Sequence, residues 1–249
     1  MLIALDIGNT AVTYGISEKG RLKSFGSCLF FDIPKLIKIC SRGGKTNEIN
    51  VIISSVVPKN THKIESILRN KKRIHLWIAG KNLSVPVKTK YHPNQLGVDR
   101  LVNAYGGIRL YRLPLLIIDF GTAITFDYVS KSGVFEGGMI VPGPELSFQA
   151  LIQKAALLPK KARLPHKSPS FLGRSTLDCL KSGILEGYGS MTDELVARFK
   201  KRFGANLKVI ATGGFAKHLK PHIQSVDRIE PKLSIKSLLL LSKTLPTKL

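Results

Sequence analysis

Acidic residues are scarce in this chain. Of its 249 residues, 16 are Asp or Glu against 39 Lys or Arg, a formal net charge of +23. A field of that sign favours anions of every size, from nucleotides to polyanions. The basic residues are nevertheless scattered, with short clusters at Lys71-Lys72-Arg73, Lys160-Lys161 and Lys200-Lys201-Arg202. No helix-turn-helix, zinc-finger, RRM or KH pattern accompanies them, so a solvated basic surface is expected and nucleic acid is not an expected partner. Cysteine is sparse too. Cys28, Cys40 and Cys179 are odd in number and lack CxxC spacing, which points to reduced thiols rather than a disulfide or zinc framework. No apolar run approaches the roughly 18 to 20 residues that span a bilayer. The N-terminus enters an apolar strand with neither a basic segment nor a small-residue cleavage site before it. These absences lead to the expectation of a cytoplasmic protein without a membrane partner. Aromatics are only 7%, yet 43% of residues are apolar and 22% charged, the balance of a globular chain.

What is present is a repeat. Leu2-Ile-Ala-Leu-Asp6-Ile7-Gly8-Asn9-Thr10-Ala11-Val12-Thr13 returns as Leu115-Leu-Ile-Ile-Asp119-Phe-Gly121-Thr122-Ala123-Ile124-Thr125, with Asn9 gapped. In each copy an apolar run ends in a carboxylate, and a glycine follows two residues later. Glycine tolerates positive φ, so it suits a hairpin turn whose N–H groups converge on an anion. An aspartate beside phosphate needs a cation to offset the repulsion, which makes a metal-bridged nucleotide site the sensible reading. One copy alone is ordinary strand-to-turn chemistry. Two copies suggest duplicated halves with phosphate held between them.

Periodicity outlines an α/β protein. Strands are expected over residues 2–5, 12–16, around 29–30, and over 50–54, 74–78, 115–118, 123–129, 134–136 and 139–141. Helices are expected over 34–40, 62–69, 98–111, 146–157, 176–203 (with a possible break at Gly187 or Gly189) and 215–219. Residues 159–170, rich in proline and basic side chains, read as an exposed loop.

Three further stretches carry chemistry. In Gly97-Val98-Asp99-Arg100 a loop ends in glycine and opens a helix. Asp99 there either complements the helix dipole or accepts a hydroxyl proton during phosphoryl transfer, with Arg100 orienting substrate. Phe135-Glu136-Gly137-Gly138 runs on to Pro142-Gly143 and reads equally as a bulge or as a place where a ligand nears the backbone. Thr212-Gly213-Gly214 ends a buried strand, and its glycines would let a flat purine lie against backbone. Other residues have ordinary readings. His218 and His222 have the spacing of a metal pair but flank Pro221 and lack a third ligand. His75 and Trp77 suit packing. Glu136 and Asp127 are either supports of the site or plain strand carboxylates.

Taken in order, Asp-x-Gly-Asn-Thr, Gly-x-Asp-Arg, Asp-x-Gly-Thr-Ala-x-Thr, Gly-Gly-x-Ile-x-Pro-Gly and Thr-Gly-Gly resemble the type III pantothenate kinases. These belong to the acetate and sugar kinase, heat-shock chaperone and actin superfamily. The resemblance runs from Leu2 to about Ile229 and takes in Gly173-Arg174-Ser175-Thr176, Ser182-Gly183 and Gly187-Tyr188-Gly189. It implies a duplicated ribonuclease-H-like (actin-like ATPase) fold, α/β, with a mixed sheet in each of two similar domains, residues 1–112 and 113–249, the last helix being free to pack back on the first. It also implies a homodimer that phosphorylates pantothenate with ATP, the first step toward coenzyme A.

By that resemblance, Asp6, Ile7, Gly8, Asn9, Thr10, Ala11, Val12 and Thr13 form the first phosphate loop, with Asp6 near Mg2+ bound with ATP. Asp99 is the proton acceptor, and Gly97, Val98, Asp99 and Arg100 hold pantothenate with Thr176 and Tyr91. Asp119 binds a monovalent cation (K+ or NH4+), Thr122 contacts ATP, and Gly213 and Gly214 flank adenosine. The sequence around Leu233 to Leu238 lacks a glycine usual near that point, which bears on the packing of the last helix. Rival readings are another small-molecule kinase of the superfamily, a non-catalytic regulator, or a nucleic-acid binder on the same scaffold.

Overall fold

The first apolar run forms β1 (Leu2–Ile7), which turns at Gly8 into β2 (Val12–Glu18) and again into β3 (Arg21–Cys28). This computed structural model describes residues 1–29, 48–69, 71–92, 95–155, 158, 164 and 170–246. After β3 come β4 (Ile49–Ser55), α1 (Pro58–Arg69), β5 (Ile74–Ile78), the two-residue strand β6 (Lys88–Thr89) and α2 (Val98–Leu110). The pattern then restarts with β7 (Leu115–Phe120), β8 (Ala123–Val129) and β9 (Val134–Pro142), followed by α3 (Pro144–Lys154) and α4 (Thr176–Phe203). The chain closes with β10 (Lys208–Thr212), α5 (Ala216–Leu219), β11 (Arg228–Ile229) and α6 (Leu233–Leu241).

Two compact units divide these elements: Met1–Leu110 with Lys232–Leu249, and Tyr111–Pro231. In the first, strands lie in the order β3-β2-β1-β4-β5. The hairpin strands are antiparallel, and β1, β4 and β5 are parallel. In the second the order β9-β8-β7-β10-β11 repeats this arrangement, strand for strand and direction for direction. Two mixed sheets of one pattern are the duplicated ribonuclease-H-like fold.

Alternation along β1 sorts its side chains to two faces. Ile3, Leu5 and Ile7 pack with Ile64 and Leu68 of α1. Ala4 and Ile52 pack on the other face with Val102 and Tyr105 of α2 and with Ile235, Leu238 and Leu241 of α6. The four α6 side chains Leu233, Ile235, Leu238 and Leu241 are fully buried. Each such burial contributes on the order of 1.5–3 kcal/mol relative to exposure, so α6 is a structural member of the first sheet's packing. Small residues set how closely it docks. A Cβ on Gly106 of α2 would stand 1.8 Å from Ser237 Oγ. Gly106 thus supplies the close approach, and Ser237 tolerates the lack of a glycine in this segment by folding its hydroxyl back to the Leu233 carbonyl at 2.7 Å.

The structure departs from the sequence-based expectations in several places. The strand expected near residues 29–30 is instead β3, because Lys19 and Gly20 both take positive φ, the two-residue turn that matches strand twist. Residues 134–136 and 139–141 are one strand, β9. Gly137 (φ 131°) makes a bulge within it, and Gly138 passes against the Phe126 carbonyl. Helix α4 runs unbroken through Gly187 and Gly189, and a Cβ on Gly189 would lie 2.2 Å from the His222 carbonyl. The expected helix 34–40 lies outside the described residues. Of the expected loop 159–170, only Leu164 and Ser170 are described, and Leu164 is buried with Phe148 and Ile152. Among the described residues no helix is long and apolar enough to cross a membrane.

Candidate active site

Residues paired directly across a sheet point to the same face. Asp6 pairs with Thr13 on one side and Ser54 on the other, and Thr13 pairs with Ser27. The result is a polar row, Ser54–Asp6–Thr13–Ser27, across four strands on the face that α6 covers. Burial pushes the Asp6 carboxyl up to about 6, and the nearby charge of Asp99 pushes the same way. The Ser234 hydroxyl, at the start of α6, opposes the shift by favouring the charged form.

Asp99 stands in the first turn of α2, where its Oδ1 accepts from the Arg100 N–H at 2.8 Å. Burial raises its pKa above the ordinary carboxylate value, more than Arg100 lowers it. Gly97 is needed for this placement, since a Cβ there would come within 2.5 Å of Asp99 Oδ1. Arg100 is itself buried and donates to the Tyr91 hydroxyl at 3.4 Å, with its guanidinium 5.2 Å from the Tyr91 ring centre. Asp6, Asp99, Arg100 and Tyr91 therefore belong to one unit, and the two carboxylates interact.

The hairpin loops correct one expectation. Gly8 and Gly121 do not adopt positive φ. Each instead lets the loop close on itself, Gly8 N–H to the Ala11 carbonyl at 3.0 Å and Gly121 N–H to the Ala123 carbonyl at 3.2 Å. Their missing side chains leave the front of the loop open. Asn9 and Thr10 in one loop, and Thr122 in the other, are exposed.

In the second unit the equivalent row is Thr212–Asp119–Thr125–Ile140. Glycines crowd it. Gly213 takes φ 92°, and a Cβ there would stand 2.4 Å from Asp119 Oδ1 and 2.6 Å from the Phe120 backbone. Gly143 donates its N–H to the Thr122 carbonyl at 2.9 Å, and a Cβ would come within 2.6 Å of that oxygen. At Gly214 a Cβ would meet nothing within 4 Å. Asp127 is buried and accepts from the Thr125 hydroxyl at 2.9 Å, so it anchors the residue that faces Asp119. Burial and the Glu136 charge raise the Tyr128 pKa.

Thr176 is the first residue of α4 and is exposed, while the cap is Ser175, whose Oγ accepts from the Asp178 N–H at 3.2 Å. Thr176 is thus relieved of the capping role that would explain it structurally. His222 and His218 do not form a metal pair. His222 Nδ1 lies 2.8 Å from Glu186 Oε1, and the His218 ring lies 5.1 Å from that of Phe215. His75 pairs with Glu48, and Trp77 donates to Asn50.

Sequence reasoning missed Ser54 and Ser234, while Gly143 lies in the Pro142-Gly143 stretch it had singled out. Ser54 had a signal, because Val51-Ile52-Ile53-Ser54 reads like Val209-Ile210-Ala211-Thr212. Ser234 had none.

A family model described as type III pantothenate kinase matches residues 2–198. The chain belongs to that family. A type III pantothenate kinase of Citrifermentans bemidjiense is 35% identical over 253 residues, covering 96% of this chain and 97% of that one. One from Zymomonas mobilis is 36% identical over 263 residues, covering 100% and 94%. Among solved structures, a conserved Campylobacter jejuni protein assigned to the Baf transcriptional activator family superposes with a TM-score of 0.58 at 19% identity, covering 97% of each chain. That likeness speaks to the fold alone.

A type III pantothenate kinase uses ATP with a divalent metal. The residues present fit such an ion. Asp6 and Asp99 repel one another and are both drawn toward protonation, a cost that a cation between carboxylate and phosphate would relieve. Among the described residues no group of three or more His, Cys, Asp or Glu could hold a metal. Mg2+ keeps several waters and takes one or two carboxylates alongside substrate phosphates, a demand that Asp6 alone can meet.

Proposed function

We propose that this protein transfers the terminal phosphoryl group of ATP to the hydroxyl of pantothenate, as a homodimer in the cytoplasm. Membership of the family over nearly the whole chain carries the reading. The Asp6–Asp99 pair in the first unit supplies chemistry to match.

Phosphoryl transfer passes through a loose transition state, so positioning and charge do most of the catalysis. Asp99 accepts the proton of the attacking hydroxyl. A carboxylate raised above its ordinary pKa takes that proton more readily than an unperturbed one. Gly97, Val98, Arg100 and Tyr91 hold pantothenate around it, and the buried Arg100 guanidinium meets the acid's carboxylate. Asp6 holds the magnesium that accompanies ATP, and residues 7–13 present backbone N–H groups to its phosphates. Magnesium supplies neutralisation of phosphate charge when bound. Thr122 contacts ATP, Asp119 holds K+ or NH4+, and Gly213 and Gly214 flank adenosine, where the open space at Gly214 favours a flat base. Thr176, exposed and free of capping duty, reaches the pantothenate pocket of a second subunit. Phe171 and Leu172, each 73% exposed, lie just before it and suit burial against that subunit.

The test is ATP consumption measured with pantothenate, with sugars and with acetate, each in potassium, ammonium and sodium buffers. Pantothenate alone should support turnover, and sodium should substitute poorly. Turnover on a sugar or acetate without turnover on pantothenate overturns the reading, and equal rates in sodium and potassium remove the role of Asp119.

A further inference from the structure

Two glycines on α4 have no reason within their own unit to be glycine. A Cβ on Gly189 would strike the His222 carbonyl, but at Gly183 and Gly187 a Cβ would meet nothing within 4 Å. Both are exposed and stand one turn apart inside a 28-residue helix, where glycine is less stable than alanine. Bare backbone kept there marks a place that another chain can approach closely. The space above it is a groove of about 350 Å³ in the second unit, walled by Val141 of β9 and by Ile184, Tyr188 and Met191 of α4. Tyr188 offers its ring to the groove, because its hydroxyl is engaged with the Pro142 carbonyl at 2.9 Å and with Ser147 Oγ at 2.7 Å. The groove is apolar.

At its end stands an apolar knob of the same unit. Phe171 and Leu172 are each 73% exposed. The Phe171 carbonyl accepts from the hydroxyl of Ser182, the residue before Gly183. Resting on the homodimer of that kinase reading, we infer that the groove receives Phe171 and Leu172 of a second copy of this chain. Knob and groove adjoin at Ser182, so a two-fold axis passing close by carries each copy's knob onto the other's groove. Such an isologous contact closes on itself. Charge selects the same surface. In a chain with 39 Lys and Arg, residues 132–153 and 182–197, which supply the groove's walls, contain none. Two molecules of net charge +23 repel wherever their cations face one another, and this face spares them that repulsion.

Sedimentation of the full chain tests the contact. The wild type should be a dimer. Phe171→Ser should raise the dimer Kd about thirty-fold or more, as loss of a buried aromatic anchor does. Gly187→Leu should do the same by filling the groove, and its circular dichroism should stay that of the wild type because the new side chain enters open space. Leu29→Ser, which removes a side chain 63% exposed in the first unit, should stay dimeric. KM for pantothenate should rise in both dissociating variants, since Thr176 reaches a second subunit only in the dimer. Dimers of wild-type strength in Phe171→Ser and Gly187→Leu overturn the inference and leave the groove to a different partner. A dimer lost in Gly187→Leu but kept in Phe171→Ser overturns the seating of the knob, another part of the second copy then filling the groove. Dissociation of Leu29→Ser overturns it too, as a general effect of lost apolar surface. A monomeric wild type that consumes pantothenate removes the homodimer and this contact together. A wild-type dimer that both variants dissociate, yet that never consumes pantothenate, refutes the kinase reading and leaves the contact standing.

Discussion

In the first unit the strand beside β1 ends in Ser54-Ser55-Val56, and in the second the strand beside β7 ends in Thr212-Gly213-Gly214-Phe215. Both turns are tied back to the hairpin strand by one bond, Val56 N–H to the Ile7 carbonyl at 3.3 Å and Phe215 N–H to the Phe120 carbonyl at 3.0 Å. The second turn reaches its tie with one residue more. The first is closed by side chains. Ser55 Oγ accepts from the Val57 N–H at 3.2 Å and from the Thr61 hydroxyl at 2.6 Å. The second is open, with Gly213 pressed on Asp119 and nothing over Gly214. One strand plan thus yields two kinds of surface. The first unit concentrates carboxylate chemistry around Asp6 and Asp99, and the second concentrates bare backbone around Asp119. Duplication supplied the frame, and the residues at the turns divided the labour.

Four substitutions probe that division, beginning with the largest effect. Asp99→Asn in the first unit should cost about 10² to 10⁴ in kcat, the usual worth of a general base. Its circular dichroism and Tm should stay close to those of the wild type. Near-normal turnover would deprive the first unit of its chemical role.

Asp6→Asn separates stability from function. The folded protein holds the Asp6 proton up to about pH 6, whereas an ordinary aspartate releases it near 3.8. The folded state therefore binds more protons over that window. Charge on Asp6 costs nothing below it, costs progressively more as pH rises through it, and costs a constant amount above it. That plateau is about 2–3 kcal/mol. Ligand-free Asp6→Asn should accordingly be more stable than the wild type at pH 7.5 and equal to it near pH 4, as thermal unfolding would show. The same variant should lose the stabilisation that magnesium and ATP confer. A wild-type advantage in ligand-free stability at pH 7.5 would contradict the strain assigned to this carboxylate.

The smallest effect belongs to the second unit. Gly213→Ala places a Cβ against Asp119 at positive φ and should destabilise by about 1–3 kcal/mol. Gly214→Ala has room and should leave Tm almost unchanged while raising KM for ATP. Equal loss of stability in the two variants would mean that the turn is closed in both units.

The repeat around Asp6 and Asp119 was legible because strand alternation and turn glycines are local signals, and so was α4, whose periodicity survives its glycines. The frame of β3 was not. Arg21, Lys23 and Ser24 give it little apolar alternation, and only the turn at Lys19-Gly20 announces it. The bulge at Glu136-Gly137 looked like a gap between strands because the neighbouring glycine pair reads the same way in either setting. The roles of Gly8 and Gly121 were misread for a related reason, since sequence cannot tell a glycine kept for φ from one kept for space. Ser54 could have been found by comparing the two halves. Ser234 could not, because its partner Asp6 lies at the opposite end of the chain and no periodicity links them.

The placement of α6 also governs the order in which this protein can be made. The second unit is one continuous stretch, Tyr111–Pro231, and it precedes α6 in the chain. The first unit begins earlier and finishes later. Until Leu233–Leu241 arrives, Ala4, Ile52, Val102 and Tyr105 lack the cover that Ile235, Leu238 and Leu241 provide, and Asp6 lacks Ser234. A chain released early would present an uncovered apolar layer to chaperones and proteases. The first sheet's packing is thus completed by a segment distant in sequence from the strands it covers.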